Sequence, residues 1–444
     1  METAIDTDAL LSPSGAKHRP RIMRGEGVWL WDDQGKRYLD GIGGIHVVSI
    51  GHGVPEIGEA MAAQARKVAF AFSSHFTTDP QIELADRVVR MAPPGMRKVQ
   101  FTSGGTESNE MALQIVRQYF LARGKPSKWR AIARWHSYHG ASVGTLSLSG
   151  HLGRRKDYAP YLLNFPHIDP PCGHFCEHGN DPATCLASAD ELATTIEREG
   201  PDTIAAFFAE PIIGTTAGAV VPPPGYYERI REICDRYDVL FVADEVITGF
   251  GRTGKNFGIE HWDAVPDIIT SAKGLSSGYA PIGAVIVHER VTDALAEGRA
   301  DGYYTGYTFS GNPISCSAAL AVQDYIARHN LIDRCERRGA YLKARLTQMA
   351  KRFPMIGDVR GEGLLLGIEL VQDQASYAPF PRAHKLQERI VAAALERGLA
   401  IVGGVGRGHG PDGDHLLVTP PFVISEAECD DLVERLAGAL GSVQ

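Results

Sequence analysis

Short apolar runs alternate with helical patterns between about residues 55 and 320, and this alternation predicts the main fold. The runs are Val99–Thr102, Ala131–Ala133, Ile204–Phe208, Leu240–Val242 and Ile268–Thr270. Runs without polar interruption are typical of parallel strands that are covered on both faces. Helical patterns lie between the runs, for example at Tyr226–Tyr237, where Ile230 and Ile233 share one face. We therefore expect an α/β domain whose sheet is mostly parallel and flanked by helices.

The pattern changes at both ends of the chain. Residues 1–20 are polar and predict an arm, and Trp29–Asp40 predicts a hairpin with its turn signal at Asp33-Gln34-Gly35. The C-terminal part predicts helices at 331–352, near 384–397 and from Ser425, with the apolar run Val359–Glu369 after the first. Long helices around a short apolar run indicate a smaller α+β domain.

These changes predict three parts of the chain. Residues 1–55 form an N-terminal arm and hairpin that pack with the small domain, 56–325 form the large domain, and 326–444 form the small domain. The length of 444 residues agrees with two domains, because a single hydrophobic core rarely serves so long a chain.

Composition narrows the classes of function. Hydrophobic residues make up 44% and charged residues 22% of the chain, which is typical of globular proteins. A net charge of −8, a pI near 6.1 and the lack of a basic stripe argue against nucleic acid as a partner. No run reaches the roughly 20 apolar residues of a membrane span, and the first residues do not form a signal peptide. We expect a cytoplasmic protein, and its seven cysteines do not indicate a disulfide framework.

The chemistry starts from a lysine and an aspartate, each at the end of an apolar run. Lys273 follows Ile268–Thr270, and Asp244 ends the run that begins at Val239. An amine that can form an imine and a buried carboxylate are the two protein groups that pyridoxal 5′-phosphate (PLP) needs. Taken alone, Lys273 reads equally well as a solvated lysine, and Asp244 as a salt-bridge partner or a helix cap.

A small, Gly-rich turn follows the first apolar run. Ser103–Ser108 precedes a helical pattern, so its backbone N–H groups could bind a phosphate, helped by Gly104, Gly105 and the Thr106 hydroxyl. Taken alone, the turn is more often a helix cap whose glycines allow tight packing, because Gly-rich turns are common. Similarly, Tyr138 could stack on a flat ring, although an isolated Tyr-His-Gly is more often part of a core or surface.

Two further segments carry weaker signals. Thr305–Pro313 is a Gly-rich turn before the helical pattern Ile314–Ile326, and it also reads as an ordinary loop. The segment from Cys172 to Cys185 has the residue types of metal ligands, but its spacing does not match a zinc ribbon. A solvated surface loop is the more common origin of such a segment, and we predict no metal.

Together the motifs resemble the class III aminotransferases of the PLP fold type I superfamily. The similarity runs from Trp29 to Pro421 through SGGTESNE, YHG, AEPIIG, VADEVITGFGRTG, AKGLSSGYAPIGA, GYTFSGNP and VRGEGLLLGIEL, in that order. The resemblance implies a PLP-binding large domain and a site at the interface of a homodimer or of a dimer of dimers.

The resemblance also implies a role for each matching residue. Lys273 would bind PLP as an imine and later move the proton, and Asp244 would pair with the pyridine nitrogen. The remaining cofactor contacts would be Tyr138 and Val246 on the two ring faces, Gly104, Gly105 and Thr106 at the phosphate, Thr308 at the phosphate of the neighbouring subunit, and Glu210 as a supporting acid.

Departures from the family pattern indicate the branch. Ile247 stands where ornithine and 4-aminobutyrate members have Gln, and Gly214–Gly218 lacks the acid of their Gly-Glu-Ala-Gly segment. Both features resemble the ω-amine:pyruvate branch, in which a mobile arginine near the C-terminus binds the acceptor carboxylate. Arg407 lies at about that position. The substrate pocket would be lined by Ile45, His46, His75, Phe76 and Tyr138.

The predicted function is PLP-dependent transfer of an amino group from an ω-amino acid or amine to a keto acid such as pyruvate. Transamination is a ping-pong reaction, so one pocket must accept an amine and a keto acid in turn. Two alternatives stay open from the sequence: an aminomutase or decarboxylase on the same scaffold, and a non-catalytic PLP-binding regulatory protein. The presence of both Lys273 and Asp244 argues against the regulatory protein.

Overall fold

The computed structural model describes residues 19–171, 182–298, 306–407 and 410–443. The strands are β1 Ile22–Glu26, β2 Trp29–Asp32, β3 Arg37–Asp40, β4 Met96–Thr102, β5 Arg130–Arg134, β6 His167–Ile168, β7 Ile204–Ala209, β8 Leu240–Asp244, β9 Ile268–Ser271, β10 Gly283–His288, β11 Ile356–Glu362, β12 Leu365–Asp373, β13 Ala378–Pro379, β14 Leu399–Ala400, β15 Val402–Arg407 and β16 Gly410–Val418. The helices are α1 Gly43–His46, α2 Pro55–Lys67, α3 Asp79–Met91, α4 Gly105–Ala122, α5 Val143–Leu148, α6 Leu152–Arg155, α7 Pro182–Glu199, α8 Tyr226–Arg236, α9 Glu289–Gly298, α10 Pro313–Arg328, α11 Leu331–Ala350, α12 Leu386–Glu396 and α13 Glu426–Gly441.

A seven-stranded sheet forms the centre of the large domain, in the order β4-β10-β9-β8-β7-β5-β6. The strands β5 to β9 pair in parallel, and all six residues of β7 are buried, as an uninterrupted apolar run requires. The predicted α/β class with a mostly parallel sheet is therefore confirmed. Strand β10 was not predicted, and it runs antiparallel to both β4 and β9.

The antiparallel strand has a consequence for the site. Because β10 reverses direction between β4 and β9, the strands β4, β8 and β9 all point the same way. Their carboxyl ends lie at Thr102, Asp244 and Ser271. Ligands of open α/β sheets bind at such carboxyl ends. The Gly-rich turn, the aspartate and the lysine therefore meet at one edge of the sheet.

The N-terminal hairpin joins the C-terminal part of the chain. Strand β3 pairs in parallel with β14, with Leu39 opposite Leu399, and the Trp29 indole donates to the Glu428 carboxylate at 2.9 Å. A further sheet, in the order β11-β12-β16-β15, is packed by α11 and α12, and α13 packs against these two helices. The predicted final helix is confirmed, with Ser425 as its N-cap in a capping box with Glu428. The domain boundaries at 55 and 325 stay a prediction.

Within the described ranges, no helix combines the length and apolar character that crossing a bilayer requires. No group of three or more His, Cys, Asp or Glu side chains in these ranges could hold a metal ion. Most of the segment from Cys172 to Cys185 lies outside the described residues, so its metal-ligand residue types have no structural test.

Candidate active site

Lys273 lines a cavity of about 160 Å³ at the carboxyl ends of the strands, together with Asp244. Its backbone adopts a φ of +34°, an uncommon conformation for a residue with a side chain, and such strain clusters at functional sites. Burial lowers the pKa of the Lys273 amine to about 8, while Asp244 and Glu210 act in the opposite direction and Arg252 adds to the lowering. The neutral form of this amine is therefore far more populated near neutral pH than in a solvated lysine.

Asp244 is held in place by three donors. Its Oδ1 accepts from the Val246 N–H at 3.0 Å, and its Oδ2 lies 2.8 Å from Asn109 Nδ2 and 2.7 Å from His139 Nδ1. The Thr270 hydroxyl donates to Asn109 Oδ1 at 2.7 Å, which fixes the orientation of the amide. A buried carboxylate with this support is fixed in one orientation and presents its free lone pairs to a cation in the cavity.

The N-terminus of α4 forms another wall of the cavity. Gly105 and Thr106 line the cavity. The N-cap of α4 is Gly104, which has no side chain that could accept from the N–H groups of the first turn. Gly140 faces the same turn, because a Cβ there would lie 2.9 Å from Thr106 Oγ1 and 2.8 Å from Thr145 Cβ. This is a site where a phosphate can bind a helix N-terminus.

Tyr138 and Val246 also line the cavity, together with Glu210. The Glu210 carboxylate accepts from the Tyr138 N–H at 3.0 Å and from the Gly214 N–H at 2.9 Å. Burial raises the pKa of this carboxyl group. Glu210 therefore fixes the backbone of Tyr138 and the start of the Gly214–Gly218 segment at the same time.

Of the proposed substrate residues, Tyr138 lines this cavity, whereas Ile45, His46 and Phe76 do not. Ile45 and Phe76 are exposed, with 42% and 67% of their surface accessible, and Thr308 is exposed as well. The backbone of Arg407 ends strand β15, where it pairs with Gly410, and its side chain is outside the described part of the structure.

His46 is buried, and both of its ring nitrogens are occupied. Its Nδ1 lies 2.8 Å from Thr419 Oγ1, and its Nε2 lies 2.8 Å from Thr215 Oγ1. The Thr419 hydroxyl donates to the Ile42 carbonyl, so it accepts from Nδ1–H, and Nε2 accepts from the Thr215 hydroxyl. Burial lowers the pKa of His46, which agrees with this neutral tautomer. Direct contact of His46 with a substrate requires that one of these bonds is broken.

Sequence reasoning missed the residues that hold Asp244. Asn109 and His139 are both buried, and neither was given a role, although both lie inside quoted motifs. The sequence did contain a signal for Asn109. It lies beside the apolar residues Met111 and Ala112, and a buried polar side chain needs a hydrogen-bond partner. His139 has no comparable signal, since the same pattern occurs at solvated positions.

The chain is similar to known proteins along nearly its whole length. The sequence model of the family described as Aminotransferase class-III matches residues 12–440. The uncharacterized aminotransferase YodT of Bacillus subtilis is 39% identical over 435 residues, which is 98% of this chain and 98% of that protein. The putrescine–pyruvate aminotransferase of Pseudomonas aeruginosa is 34% identical over 93% of this chain and 88% of that protein.

A solved structure adds the fold and the cofactor. An amine transaminase from an uncultivated Pseudomonas species, in its PLP-bound form, is similar with a TM-score of 0.92 and 33% identity, covering 99% of this chain and 100% of that chain. The fold and site therefore define a PLP-dependent transferase of fold type I. The chain belongs to the class III aminotransferases.

The residues of the cavity fit PLP on their own chemistry. The Lys273 amine can bind the cofactor's aldehyde carbon, and the Asp244 carboxylate can pair with a protonated ring nitrogen. Tyr138 and Val246 supply apolar surfaces for a flat ring, and the start of α4 supplies N–H groups for a phosphate. The amine, the acid and the anion site face one cavity, which is the arrangement that a pyridine ring with a phosphate arm needs.

Proposed function

We propose that this enzyme transfers the amino group of an ω-amino acid or amine to a keto acid such as pyruvate. The observation that carries the proposal is that the Lys273 amine and the Asp244 carboxylate face the same cavity. Similarity to an aminotransferase named for putrescine and pyruvate supports the substrate class. The uncharged Gly214–Gly218 segment supports it as well, because an apolar donor near a fixed carboxylate would leave that charge desolvated.

PLP, when bound, supplies an electron sink that stabilises the carbanion formed when the donor loses a proton. Lys273 is the group that would take this proton and return it to the neighbouring carbon. Its lowered pKa of about 8 places the amine near the value at which a general base works best in neutral solution. Asp244, held by Asn109 and His139, would keep the ring nitrogen protonated.

The other lining residues would position the ring and exclude water. Tyr138 would stack on one ring face and Val246 on the other, and each is fixed through its backbone. The Val246 N–H donates to Asp244, and the Tyr138 N–H donates to Glu210. Gly104, Gly105 and Thr106 would bind the phosphate and so set the position of the whole ring.

The acceptor carboxylate needs a cation that an apolar donor does not need. We assign this role to Arg407, at the end of strand β15 in the small domain. A planar guanidinium pairs bidentately with a carboxylate, and a mobile one can leave the pocket when the donor is apolar. The neighbouring Thr215 hydroxyl donates to His46, so the segment beside this region carries hydroxyl groups where other members of the family carry an acid.

The active enzyme would be a homodimer, or a dimer of dimers, with sites at the interface. Thr308 is exposed and would reach the phosphate of the neighbouring subunit. The exposed rings of Phe70 and Phe309 lie 6.1 Å apart in an edge-on contact, and the ring of Phe76 is exposed as well. Exposed aromatic residues of this kind mark an interaction surface, and a C2 pair is the most common assembly.

A spectroscopic titration tests the proposal. The purified enzyme with PLP should show a visible cofactor band that an amine donor removes and pyruvate restores, with production of alanine. A panel of ω-amino acids, diamines and simple amines, each with pyruvate and with 2-oxoglutarate, would then rank the substrates. Loss of the band without recovery by any keto acid would favour a decarboxylase or an aminomutase, and a band that no amine changes would indicate a non-catalytic protein.

A further inference from the structure

Arg252 is a buried cation that the reaction described above does not use. It is 2% exposed, and its guanidinium lies over the ring of Phe422 at 4.6 Å. Within the described structure, the hydrogen bonds of its side chain all go to neutral backbone carbonyls. The Asp40 carboxylate favours the charged form of Arg252 without a direct ion pair between them in the described ranges. Burial lowers the pKa of Arg252 to about 10, so it stays charged at neutral pH.

The four carbonyls belong to three separate parts of the chain. Nη2 donates to Val48 at 3.1 Å, in the N-terminal segment that also contains Ile45 and His46. Nη1 lies 3.2 Å from the carbonyl of Leu364, in the turn between β11 and β12. The same nitrogen lies 3.2 Å and 2.7 Å from the carbonyls of Thr419 and Pro420, directly after β16. One side chain therefore joins the N-terminal segment and the small domain to the loop after β8.

The Arg252 backbone strengthens the same connection. Its carbonyl accepts from the Leu364 N–H at 3.1 Å and from the Cys335 thiol at 3.2 Å. The packing leaves no space, since a Cβ on Gly43 would lie 2.8 Å from the Thr419 carbonyl oxygen and 3.6 Å from Arg252 Nη2. A planar group with several donors suits such a junction, and an ammonium group cannot match its geometry.

The junction lies next to Lys273. A Cβ on Gly274, the residue after Lys273, would lie 3.3 Å from the Gly249 carbonyl oxygen and 3.4 Å from Phe250 Cβ, just before Arg252 in the chain. The charged or titratable groups that act on Lys273 are Asp244, Glu210, His46 and Arg252. Two of them are acids that favour the protonated lysine, His46 is neutral, and Arg252 is the cation that opposes them.

We propose that Arg252 is a positioning residue of the transamination site, where its planar group holds the two domains around Lys273 and its charge favours the neutral lysine. This inference rests on the proposed function, because in that reaction the neutral amine of Lys273 is the base that takes the donor's proton. It explains why a cation is retained where neutral carbonyls are its partners. A hydrogen-bonding clamp alone could be built from a neutral side chain, which would avoid the cost of burying a charge.

The two roles can be separated by substitution. Arg252→Gln and Arg252→Met remove the charge, and Gln keeps two of the N–H donors. Arg252→Lys keeps the charge but loses the planar fork. A matched control is Ser277→Ala, because the Ser277 hydroxyl accepts from the Ser49 and Ile50 N–H groups at 2.8 Å and 3.1 Å and holds the same N-terminal segment without a charge.

The measurement is a pH titration of the visible cofactor band in the full-length enzyme with PLP bound. This band reports the proton on the nitrogen that links Lys273 to the cofactor. We expect its midpoint to rise by about one pH unit in the Gln and Met variants, because a nearby cation disfavours the protonated form. The Lys variant and Ser277→Ala should titrate like the wild type. The Lys variant should nevertheless unfold at a lower temperature, because its junction is looser.

An unchanged midpoint in both neutral variants would overturn the proposal, and so would an equal rise in Ser277→Ala. If neither neutral variant folds, Arg252→Lys decides: a lower unfolding temperature with an unchanged midpoint supports the proposal, and a shifted midpoint or the unfolding temperature of the wild type contradicts it. The labelling of Lys273 by an amine-reactive reagent in the cofactor-free chain, mapped by mass spectrometry across pH, provides a second reading of the same shift. Failure of the proposed function is distinguishable, since the band would then not respond to amines in the wild type.

Discussion

His139 Nδ1 lies 2.7 Å from Asp244 Oδ2, and both side chains are buried beneath the cavity. The opposite ring nitrogen of His139 has no hydrogen-bond partner within the described structure. His139 can therefore donate through Nδ1–H to Asp244, which fixes the carboxylate in one orientation. This pair defines the acid side of the site, and Lys273 defines the amine side.

Substitution of Asp244 tests the acid side. Asp244→Asn should leave the fold intact, because an amide can still accept from the Val246 N–H. The rate should fall by orders of magnitude, since a neutral partner no longer holds the proton on the ring nitrogen. Steady-state rates at saturating PLP, with circular dichroism as the control for folding, provide the measurement. A variant as active as the wild type would show that Asp244 does not act on the cofactor.

The pH dependence of the rate should report the Lys273 amine. Burial lowers its pKa to about 8, so below that pH the base is increasingly protonated and inactive. The single-turnover rate with an amine donor should rise about tenfold per pH unit below the midpoint and level off above about pH 8. A rate that keeps rising toward pH 10 would indicate an ordinary, solvated lysine.

Much of this site could be predicted from the sequence because its main residues follow apolar runs. The ends of β4, β8 and β9 place the Gly-rich turn, Asp244 and Lys273 in order, and parallel strands bring such ends together. The direction of β10 was not predictable in the same way. Neither this strand nor its direction was predicted, and the direction depends on the path of the chain between β9 and β10, which the pattern does not record.

The contacts that support the site could not be predicted from the sequence, for a physical reason. Arg252 donates to carbonyls of Val48 and Pro420, which are 204 and 168 residues away, and a carbonyl is present at every residue. No residue type marks the acceptor of such a bond. His46 illustrates a second limit, because its side chain was predicted to line the pocket and instead bonds Thr215 and Thr419. Its role toward the substrate stays a prediction.

Arg407 should act on only one of the two half-reactions. Arg407→Ala removes a charge-assisted bidentate pair from the acceptor carboxylate, which is worth about 2–5 kcal/mol when it is buried. An uncharged amine loses nothing comparable, so its half-reaction should change little. Single-turnover rates with a simple amine and with pyruvate, measured separately, give the comparison. Equal losses in both half-reactions, or no loss in either, would mean that another group binds the carboxylate.

Activity should depend on assembly. Thr308 and Phe309 are exposed on the single chain, and the site at each phosphate is proposed to include Thr308 of the partner subunit. Phe309→Lys places a charge at the proposed interface, so the variant should dissociate and lose activity together. Sedimentation and activity measured over the same range of concentrations would show whether the two follow each other. A monomer with full activity would exclude an intersubunit site.

The most direct test of the account is the single-turnover reaction of Lys273→Ala with an amine donor. Lys273 is proposed to be the base that takes the donor's proton, a role that contributes about 10²–10⁴-fold. The variant should bind PLP, react with the donor at a rate lower by at least this factor, and recover part of the rate when methylamine is added as a replacement base. A variant that reacts at nearly the wild-type rate without added amine would contradict the central claim that Lys273 moves the proton.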